Sequence, residues 1–598
     1  MKRLMEMISL TARRLFEAVA RFPLTVVCLL AAAIILCYMI SLHKAPELII
    51  EKLMFTLLFG AFLGVTAQFA CERFERLSDR RLVVYILSFL LTAGYLCILL
   101  PAPSISFEVT IRTVVAVFAM FCAFIWIPSY KDHADFNTIT LIHFKSAAIS
   151  VLYSGVLAMG CAAIIATIDS LLFDIHYDAY SYMMTIVWVL FAPIYYLSLL
   201  PRFNSQAPDD REYAQESGQY PRFLEILVSY IAIVLVAVYT LVLIAYFFKI
   251  LFTLNWPSGQ LGPMVLGYSA AGLFIYILSS LLENRLAVWY RLIFPRVLIP
   301  IVIMQLISVV IRLNAYGVTE SRYYVAMFGI FCIIGGVVLS LKPVSRNGVI
   351  AVLAAVFAIV SVIPPIDAFT VSRTSQTNRI ENMLRAENLL VDGKITPKAD
   401  ASLTLKLECT NILSYLQSRG YIKYIEWLPQ DFNVYSNMEE VFGFRPTYER
   451  GENDYNYFFA DLSMEKALNI SDYDVLMSTN SYWRVDNSDQ PTATFDFEVR
   501  GVPYQLTVNR LSSTEVRVAV KDGNGAELVA TGLYEFIQSL SKTAVGPKDA
   551  MDPEEMTFGA ENNGYKLRIL LQSVHEIKGA GPDTGVDYSF FVMFGAPQ

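Results

Sequence analysis

Long apolar runs are the feature that most constrains what this chain of 598 residues can fold into. A helix needs about 20 mostly apolar residues to cross the hydrocarbon core of a bilayer. Eleven runs meet or approach that length, at roughly 23–42, 53–71, 82–100, 109–128, 147–171, 179–200, 224–250, 264–282, 294–311, 323–341 and 349–363. They predict a polytopic α-helical membrane bundle of about 11 spans. The last run is short, so ten spans with a re-entrant segment remain the alternative.

The low charge content supports a membrane protein. Charged residues make up 17% of the chain, whereas soluble globular domains contain about 25%. This deficit excludes a disordered protein and one that coats nucleic acid. Membrane lipids are therefore expected partners and nucleic acid is not.

The charge balance changes at Pro364-Pro365, where the apolar runs stop. Proline lacks an N–H and disfavours helix in the residue before it, so the pair marks the end of a helix. From Pro365 onward there are 21 basic and 33 acidic residues, whereas the preceding part contains 25 basic and 20 acidic residues. We predict a transmembrane helical domain over 23–364 and an acidic soluble domain over 365–598.

Lys and Arg residues in the loops indicate the orientation. With the N-terminus in the cytoplasm, the inner segments contain 19 of these residues, and the outer segments and span edges contain 6. Cytoplasmic loops carry the basic excess in membrane proteins, so this orientation is favoured for a cytoplasmic (inner) membrane protein. Eleven spans then place the C-terminal domain outside the cytoplasm, and ten would leave it inside.

The first 22 residues have an amphipathic pattern. Apolar residues recur at helical spacing, and basic residues surround them: Leu4, Ile8, Leu15, Val19 and Phe22 on one face, with Lys2, Arg3, Arg13, Arg14 and Arg21 around it. This pattern predicts a helix over 1–22 that lies on the inner membrane surface. A simple orientation signal is an equally weighted alternative.

The region after Pro365 predicts an α+β domain. Helical periodicity covers 374–391 and 402–419, and a short helix ends near Gly443. Alternating apolar residues then predict hairpins over 494–508 and 516–530, a helix over 533–540, and closing strands over 567–574 and 588–594. We expect an antiparallel sheet with helices on one face. Its only cysteine is Cys409, so no internal disulfide is expected.

Seven charged residues lie near the outer ends of the predicted spans. They are Glu108, Arg112, Asp169, Lys249, Arg312, Glu320 and Arg322. Ionisable groups within spans are costly and are candidates for function. They predict an outward-facing vestibule for an anionic ligand. The alternative is that they reach the interface and pair with one another.

Searches for catalytic and metal-binding motifs point to no reaction. The chain has no phosphate-binding Gly-rich loop, no nucleophile elbow and no H-E-x-x-H motif, so neither a cofactor nor a catalytic residue is predicted. The nearest metal-like segment is Asp174-Ile-His176-Tyr-Asp178 in an outer loop. A solvated loop is favoured over a metal site there.

The loop between the ninth and tenth runs contains Tyr316-Gly317-Val-Thr319-Glu320-Ser-Arg322. This segment resembles a Tyr-Gly-x-Thr-x-x-Arg signature of the bacterial membrane family called domain of unknown function 4153. The segments Ser372 to Arg379 and Leu416 to Gly420 also resemble that family. The resemblance implies an architecture and a candidate site, because the family has no established activity.

The motif residues have simple physical roles as a turn. Gly317 permits a tight turn, Thr319 can cap the tenth helix, and Glu320 stands where a helix N-terminus favours negative charge. Arg312 and Arg322 are then placed to clamp Glu320 or the carboxylate or phosphate of a ligand. A purely structural turn is about as well supported.

Three functions remain open at this point. The first is a bacterial cell-envelope protein whose extracytoplasmic domain binds or senses a ligand or an envelope protein partner. The second is a transporter or flippase for an anionic or lipid-linked substrate, and the third is a membrane transferase that uses a lipid-linked donor. A polar cavity reaching the midplane would favour the second, and paired carboxylates beside a groove would favour the third.

Overall fold

The computed structural model describes residues 13–43, 46–132, 134–253, 261–448, 456–463, 468–483, 491–543, 548–578 and 585–597. The predicted helix over 1–22 therefore lies partly outside the described residues. Residues 13–21 are helical, and Arg21 at the end of this helix is buried. Its guanidinium donates to both carboxylate oxygens of Glu72, at 2.7 and 2.8 Å, and to two carbonyls. Arg21 thus joins this helix to the bundle.

Ten helices within the described residues are long and apolar enough to cross a membrane. They are α1 (Pro23–Leu42), α2 (Leu48–Arg73), α3 (Arg81–Leu99), α4 (Phe107–Trp126), α5 (Phe136–Leu171), α6 (Asp178–Ser198), α7 (222–253), α8 (Leu261–Ser279), α9 (Arg285–Tyr316) and α10 (Glu320–Leu341). The predicted helical membrane bundle is confirmed. Shorter helices connect them at Glu75–Ser78, Ile127–Asp132, Pro208–Gly218 and Val344–Arg346.

Polar residues determine where several of these helices begin. Ser106, Asp135 and Asn284 are N-caps whose side chains accept from the backbone N–H three residues later, at 3.3, 2.8 and 3.0 Å. Each hydrogen bond satisfies a donor that the helix itself leaves unpaired. Two spans, α6 and α7, contain π-helical segments at Ile186–Phe191 and Leu227–Ala232.

The eleventh apolar run forms a shorter helix, α11 (Gly348–Val360). Gly348 packs against Trp126, the last residue of α4, while Phe107 at the start of α4 packs against Phe369, with ring centroids 6.4 Å apart. The chain from 348 to 369 therefore runs antiparallel to the whole of α4. We call the end of the bundle that contains Phe107 and the 316–319 turn the turn end, and the end that contains Trp126 the opposite end.

Helices continue after Pro365 and pack on the spans. They are α12 (Ala368–Ala386), α13 (Leu403–Ser418) and α14 (Val434–Phe442), with a two-stranded hairpin of β1 (Leu390–Val391) and β2 (Lys394–Ile395). Their shared core includes Ile380, Leu384, Cys409 and Leu413, and Ile111 of α4 packs against it. Asp367 caps α12 by accepting from the N–H groups of Phe369 and Thr370.

The chain divides into two compact units, Met1–Thr447 and Tyr448–Gln598. The sequence placed a domain boundary at Pro364-Pro365, but that position lies between α11 and α12 inside the first unit. The reason is the apolar core of α12–α14, which continues onto α4 and Val362.

The second unit contains the two larger β-sheets. Its strands are β3 (Asn456–Leu462), β4 (Val475–Ser481), β5 (Pro491–Val499), β6 (Val502–Arg510), β7 (Val516–Asp522), β8 (Glu527–Gly532), β9 (Lys548–Met551), β10 (Thr557–Asn562), β11 (Tyr565–Lys578) and β12 (Gly585–Gly595). One sheet has the order β4-β12-β11-β3-β9, with β10 also on β11, and the other has β5-β6-β7-β8. All pairings are antiparallel except β3 with β9.

Both sheets and helix α15 (Tyr534–Thr543) contribute to one apolar core. The predicted hairpins are β5–β6 and β7–β8, and the predicted closing strands are β11 and β12. Because alternate residues of a strand face opposite sides, the alternating apolar pattern identified these strands. The predicted α+β character and antiparallel sheet are confirmed.

Candidate functional site

A glycine turn joins α9 to α10 at the turn end of the bundle. Gly317 has φ +69°, a conformation that glycine adopts far more readily than other residues. A Cβ at this position would lie 2.8 Å from Nε2 of Gln376 and 3.2 Å from Oγ of Ser375. Gly317 is therefore required both by its own backbone and by the close approach of α12.

Helix α12 holds this turn through three side chains. Ser375 Oγ accepts from Val318 N at 2.9 Å, and Gln376 Nε2 donates to the carbonyls of Tyr316 and Val318, both at 2.9 Å. Arg379 donates to the Tyr316 carbonyl at 3.1 Å. The two family-like segments, distant in sequence, thus form one structure.

Glu320, the first residue of α10, is buried with 2% of its surface exposed. Its carboxylate accepts hydrogen bonds from the hydroxyls of Tyr415 and Tyr421, the latter at 2.7 Å, and lies 3.7 Å from Arg419. Burial, followed by the hydrogen bonds to Glu320, raises the pKa of both tyrosines, so the phenols stay neutral donors. We call Glu320, Tyr415, Arg419 and Tyr421 the Glu320 anchor.

The clamp expected from the sequence is replaced by this anchor. Arg312 and Arg322 are not ion-paired to Glu320, because its carboxylate points to donors of the α13 region. Thr319 does occupy the N-cap position of α10, but its side chain makes no cap hydrogen bond and instead lies 3.2 Å from Oγ of Ser321. Glu320 therefore links α10 to α13.

Arg312 and Arg322 line a pocket of about 290 Å³ on the other side of the turn. Its further lining residues are Gly262, Pro263, Gln305, Ser308, Val309, Thr319, Ser321 and Val325. Arg322 donates to the carbonyls of Tyr316 and Gly317, at 3.2 and 2.9 Å. In the described parts of the chain, no acidic side chain forms an ion pair with Arg312 or Arg322. We call this feature the arginine pocket.

The other residues of the predicted vestibule do not line this pocket. Arg112 pairs with Glu108 on its own helix at 2.6 Å and lies over the ring of Phe369. Asp169 accepts from Ile175 N at 2.6 Å and so holds the loop after α5. Lys249 is exposed on α7. The residues predicted to line one vestibule therefore lie in several separate parts of the structure.

A larger and mainly apolar cavity of about 700 Å³ lies deeper in the bundle. Phe, Trp and aliphatic side chains dominate its lining, which also includes His143. His143 is 3% exposed; its Nδ1 lies 2.7 Å from the hydroxyl of Tyr196, and its Nε2 has no hydrogen-bond partner among the described residues. Sequence reasoning missed this cavity, because apolar runs do not indicate where helices separate.

The arginine pocket and the apolar cavity follow the same faces of two helices. On α10, Val325 lines the pocket, and Phe328 and Phe331 line the cavity at successive helical turns. On α8, Pro263 lines the pocket and Ala270 the cavity. Residues three, four or seven apart share a helix face. The polar arginine pocket thus lies nearer the turn end, and the apolar cavity lies farther along the same helices.

Comparison with known proteins assigns this chain to a family but indicates no activity. An uncharacterised protein of Pasteurella multocida is 21% identical over 312 residues, which cover 51% of this chain and 52% of that relative. The match therefore spans about half of the relative's length. No solved structure matches this chain. The model of the family described as "Domain of unknown function (DUF4153)" matches residues 30–394, more than half of the chain. The chain therefore belongs to the DUF4153 family.

Proposed function

We propose that this integral membrane protein of the bacterial envelope binds an anionic lipid in the arginine pocket and senses it through the helices that follow Pro365. One observation carries the proposal: two arginines face a pocket with no acidic partner among the described residues, although the carboxylate of Glu320 is close by. That carboxylate is already bound by two phenols and Arg419.

An anion is the ligand that the pocket residues favour. Arg312 and Arg379 both repel the charge of Arg322, and Arg379 is neutralised by Glu408 at 3.0 Å. An anion between Arg312 and Arg322 would relieve their repulsion. The planar guanidinium group matches the geometry of phosphate and carboxylate oxygens. The hydroxyls of Thr319 and Ser321 would add donors.

A lipid is favoured over a small anion by what lies below the pocket. The apolar cavity on the same faces of α8 and α10 provides a surface for a hydrocarbon chain. Nearly all of its lining side chains are apolar, so it offers no path for a hydrated ion. An amphipathic molecule uses both sites.

The packing of residues 348–369 along the whole of α4 supports an eleventh crossing and, with it, a location of the pocket at the extracytoplasmic face. With eleven crossings, the N-terminus and the helices after Pro365 lie on opposite sides of the membrane, and the basic loops favour a cytoplasmic N-terminus. A reporter enzyme that works only outside the cytoplasm, fused after Gln598, is expected to be active. Activity of only a cytoplasmic reporter would refute this orientation.

Sensing is supported by the hydrogen bonds around the turn. Arg322 binds the carbonyls of Tyr316 and Gly317, and Gln376 of α12 binds the same Tyr316 carbonyl. A ligand that draws Arg322 toward the pocket therefore removes its hydrogen bonds from the turn on which α12 packs, and so changes the surroundings of a carbonyl that α12 also binds. The acidic region after Pro365 offers a surface for an envelope protein partner with basic residues.

A flippase is the second candidate, since the apolar cavity reaches Phe136 and Ile350 near the opposite end of the bundle. The transferase gains no comparable support. Among the described residues that line the pocket and the cavity, there is neither Asp nor Glu.

Native mass spectrometry of the gently extracted protein tests the proposal. Wild type is expected to retain phosphatidylglycerol, whereas Arg312→Gln and Arg322→Gln should each weaken retention roughly tenfold or more, since each removes hydrogen bonds to a charged group. Lys249→Gln is the matched control, because it removes an exposed charge outside the pocket. Equal retention by all four proteins would refute the site.

Vesicles that contain fluorescent phosphatidylglycerol separate the two candidate functions. A receptor leaves the lipid in its original leaflet. Protein-dependent transfer that Arg322→Gln abolishes would establish the flippase and displace the receptor.

A further inference from the structure

We propose that His43, His176 and Asp178 form a Zn²⁺ site where the end of α1 meets the start of α6. Nε2 of His43 lies 3.2 Å from Oδ2 of Asp178, and Nδ1 of His176 lies 3.0 Å from the same oxygen. The three donor atoms all lie within 4.8 Å of one another. This site is independent of the arginine pocket, which α8, α9 and α10 line.

The separations match those around a tetrahedral zinc ion. Zn–N and Zn–O bonds of about 2.0–2.2 Å place neighbouring ligand atoms roughly 3.3 Å apart. Two of the donor pairs are already close to that distance. Small rotations of the exposed imidazoles would complete the geometry, because His43 and His176 are half or more exposed while Asp178 is largely buried.

The backbone brings His43 to His176 and Asp178, which lie together in a distant part of the chain. His43 ends α1 in a left-handed conformation with φ +49°. Asp169 holds the loop before α6 by accepting from Ile175 N, and the ring of Tyr177 packs on that of His176, with centroids 4.7 Å apart. The loop is thus shaped before any metal binds.

The donor set is typical of zinc. Two imidazoles and one carboxylate are nitrogen and oxygen ligands that suit Zn²⁺, whereas Mg²⁺ and Ca²⁺ prefer oxygen ligands. Asp178 provides the negative charge, and a water molecule can complete the fourth position. Bound zinc would tie α1 to α6, two helices that border a second cavity of about 410 Å³.

The sequence indicated only part of this site. Asp174, His176 and Asp178 lie within five consecutive residues, and a solvated loop was the favoured interpretation for them. His43 supplies the third ligand and lies on another helix, so no spacing rule could include it. Asp174 is not one of the three ligands.

Zinc binding to the full chain in nanodiscs tests the proposal. After removal of metal by a chelator, wild type is expected to bind one Zn²⁺ per chain in competition with a fluorescent zinc chelator. Co²⁺ in its place should give the intense visible absorption of a tetrahedral site. His43→Ala and Asp178→Asn should each lower the affinity at least tenfold.

His575→Ala and Asp174→Asn are matched controls that replace the same residue types outside the site. They should bind as wild type does. Zinc should also raise the Tm of wild type and of these controls, but not of His43→Ala. The proposal is overturned by equal zinc affinity in all five proteins, or by wild-type binding no stronger than that of His43→Ala.

Discussion

The charged side chains on the two sides of the 316–319 turn differ in whether they have partners of opposite charge. On one side, the carboxylate of Glu320 is buried and surrounded by the donors of Tyr415, Tyr421 and Arg419. On the other side, two residues along α10, Arg322 faces the arginine pocket without an acidic partner in the described part of the chain. Removing the partner of a buried charge destabilises a fold, whereas an arginine without an acidic partner beside a pocket is available to an anionic ligand. The comparison separates the residues that hold the turn from those that we expect to bind.

Replacing Glu320 should have the largest effect on stability. Glu320→Ala leaves the hydroxyls of Tyr415 and Tyr421 without their shared acceptor and Arg419 without the carboxylate 3.7 Å away, and each buried hydroxyl left unpaired costs about 1–3 kcal/mol. We expect a large fall in Tm of the detergent-solubilised protein. Glu108→Ala is the control, because the Glu108–Arg112 pair is partly exposed and should contribute at most about 1 kcal/mol. Equal losses in the two variants would remove the distinction between the anchor and ordinary surface pairs.

Gly317→Ala should be the next most damaging change. It places a Cβ against Gln376 and imposes a left-handed conformation on alanine, which costs about 1–3 kcal/mol. The double variant Gly317→Ala/Gln376→Ala removes the contact and should recover part of the lost Tm. If the effects of the two substitutions on Tm are fully additive, the side chain of Gln376 does not clash with the Cβ of the alanine at position 317.

The two phenols of the anchor should each contribute less than Glu320 itself. Tyr415→Phe and Tyr421→Phe each remove a hydrogen bond to a carboxylate and should cost about 1.5–3 kcal/mol. Because both phenols share one acceptor, the double variant should not be additive.

The same phenols predict the response to pH. The pKa of each is raised in the folded protein, so their contribution is fully present below the unfolded pKa of about 10 and is lost as pH rises through the folded pKa. Tm should hold to about pH 9 and then fall, less steeply in the double Phe variant. Identical profiles would contradict the role of the phenols.

Arg312→Ala should have the smallest effect on stability, within about 0.5 kcal/mol in lipid-free detergent. It removes a charge that repels Arg322 and breaks no described ion pair. The effects of Arg312→Ala and Glu320→Ala on unfolding should be additive within about 0.5 kcal/mol, because the two side chains lie on opposite sides of the turn. A larger coupling energy between the two substitutions would show that Arg312 and Glu320 interact, as the clamp predicted from the sequence requires.

The sequence predicted the helical bundle well because a bilayer requires a fixed length of apolar chain. It also predicted the β-hairpins, since strand alternation is a local pattern. The motif near Gly317 was located by resemblance, and the structure brings Arg312, Glu320 and Arg322 to one turn. Each of these predictions rests on residues that lie close together in the sequence.

The partners of these residues could not be predicted in the same way. Tyr415 and Tyr421 lie 95 and 101 residues from Glu320, and no period connects them. The family-like segment Leu416 to Gly420 lies between these two tyrosines. Its position in the sequence could therefore have indicated them as candidates. Asp169 and Lys249 were predicted at the same membrane depth as Arg312, but depth alone does not say which helices are neighbours. The partner of His143 is Tyr196, which lies 53 residues away, so no sequence motif singled His143 out.

Helix α11 has only 13 residues, which at 1.5 Å per residue extend about 20 Å of the roughly 30 Å of a bilayer core. If residues 348–369 form the eleventh crossing proposed above, irregular chain completes it, and contacts such as Tyr323 Oη donating to the Ile366 carbonyl at 2.6 Å satisfy its backbone. Such contacts exist only after α10 and α12 are in place. In that case the last apolar segment is too short a helix to be fully inserted by its own hydrophobicity. The proposed eleventh crossing therefore makes the docking of α12 a step in the assembly of the membrane domain.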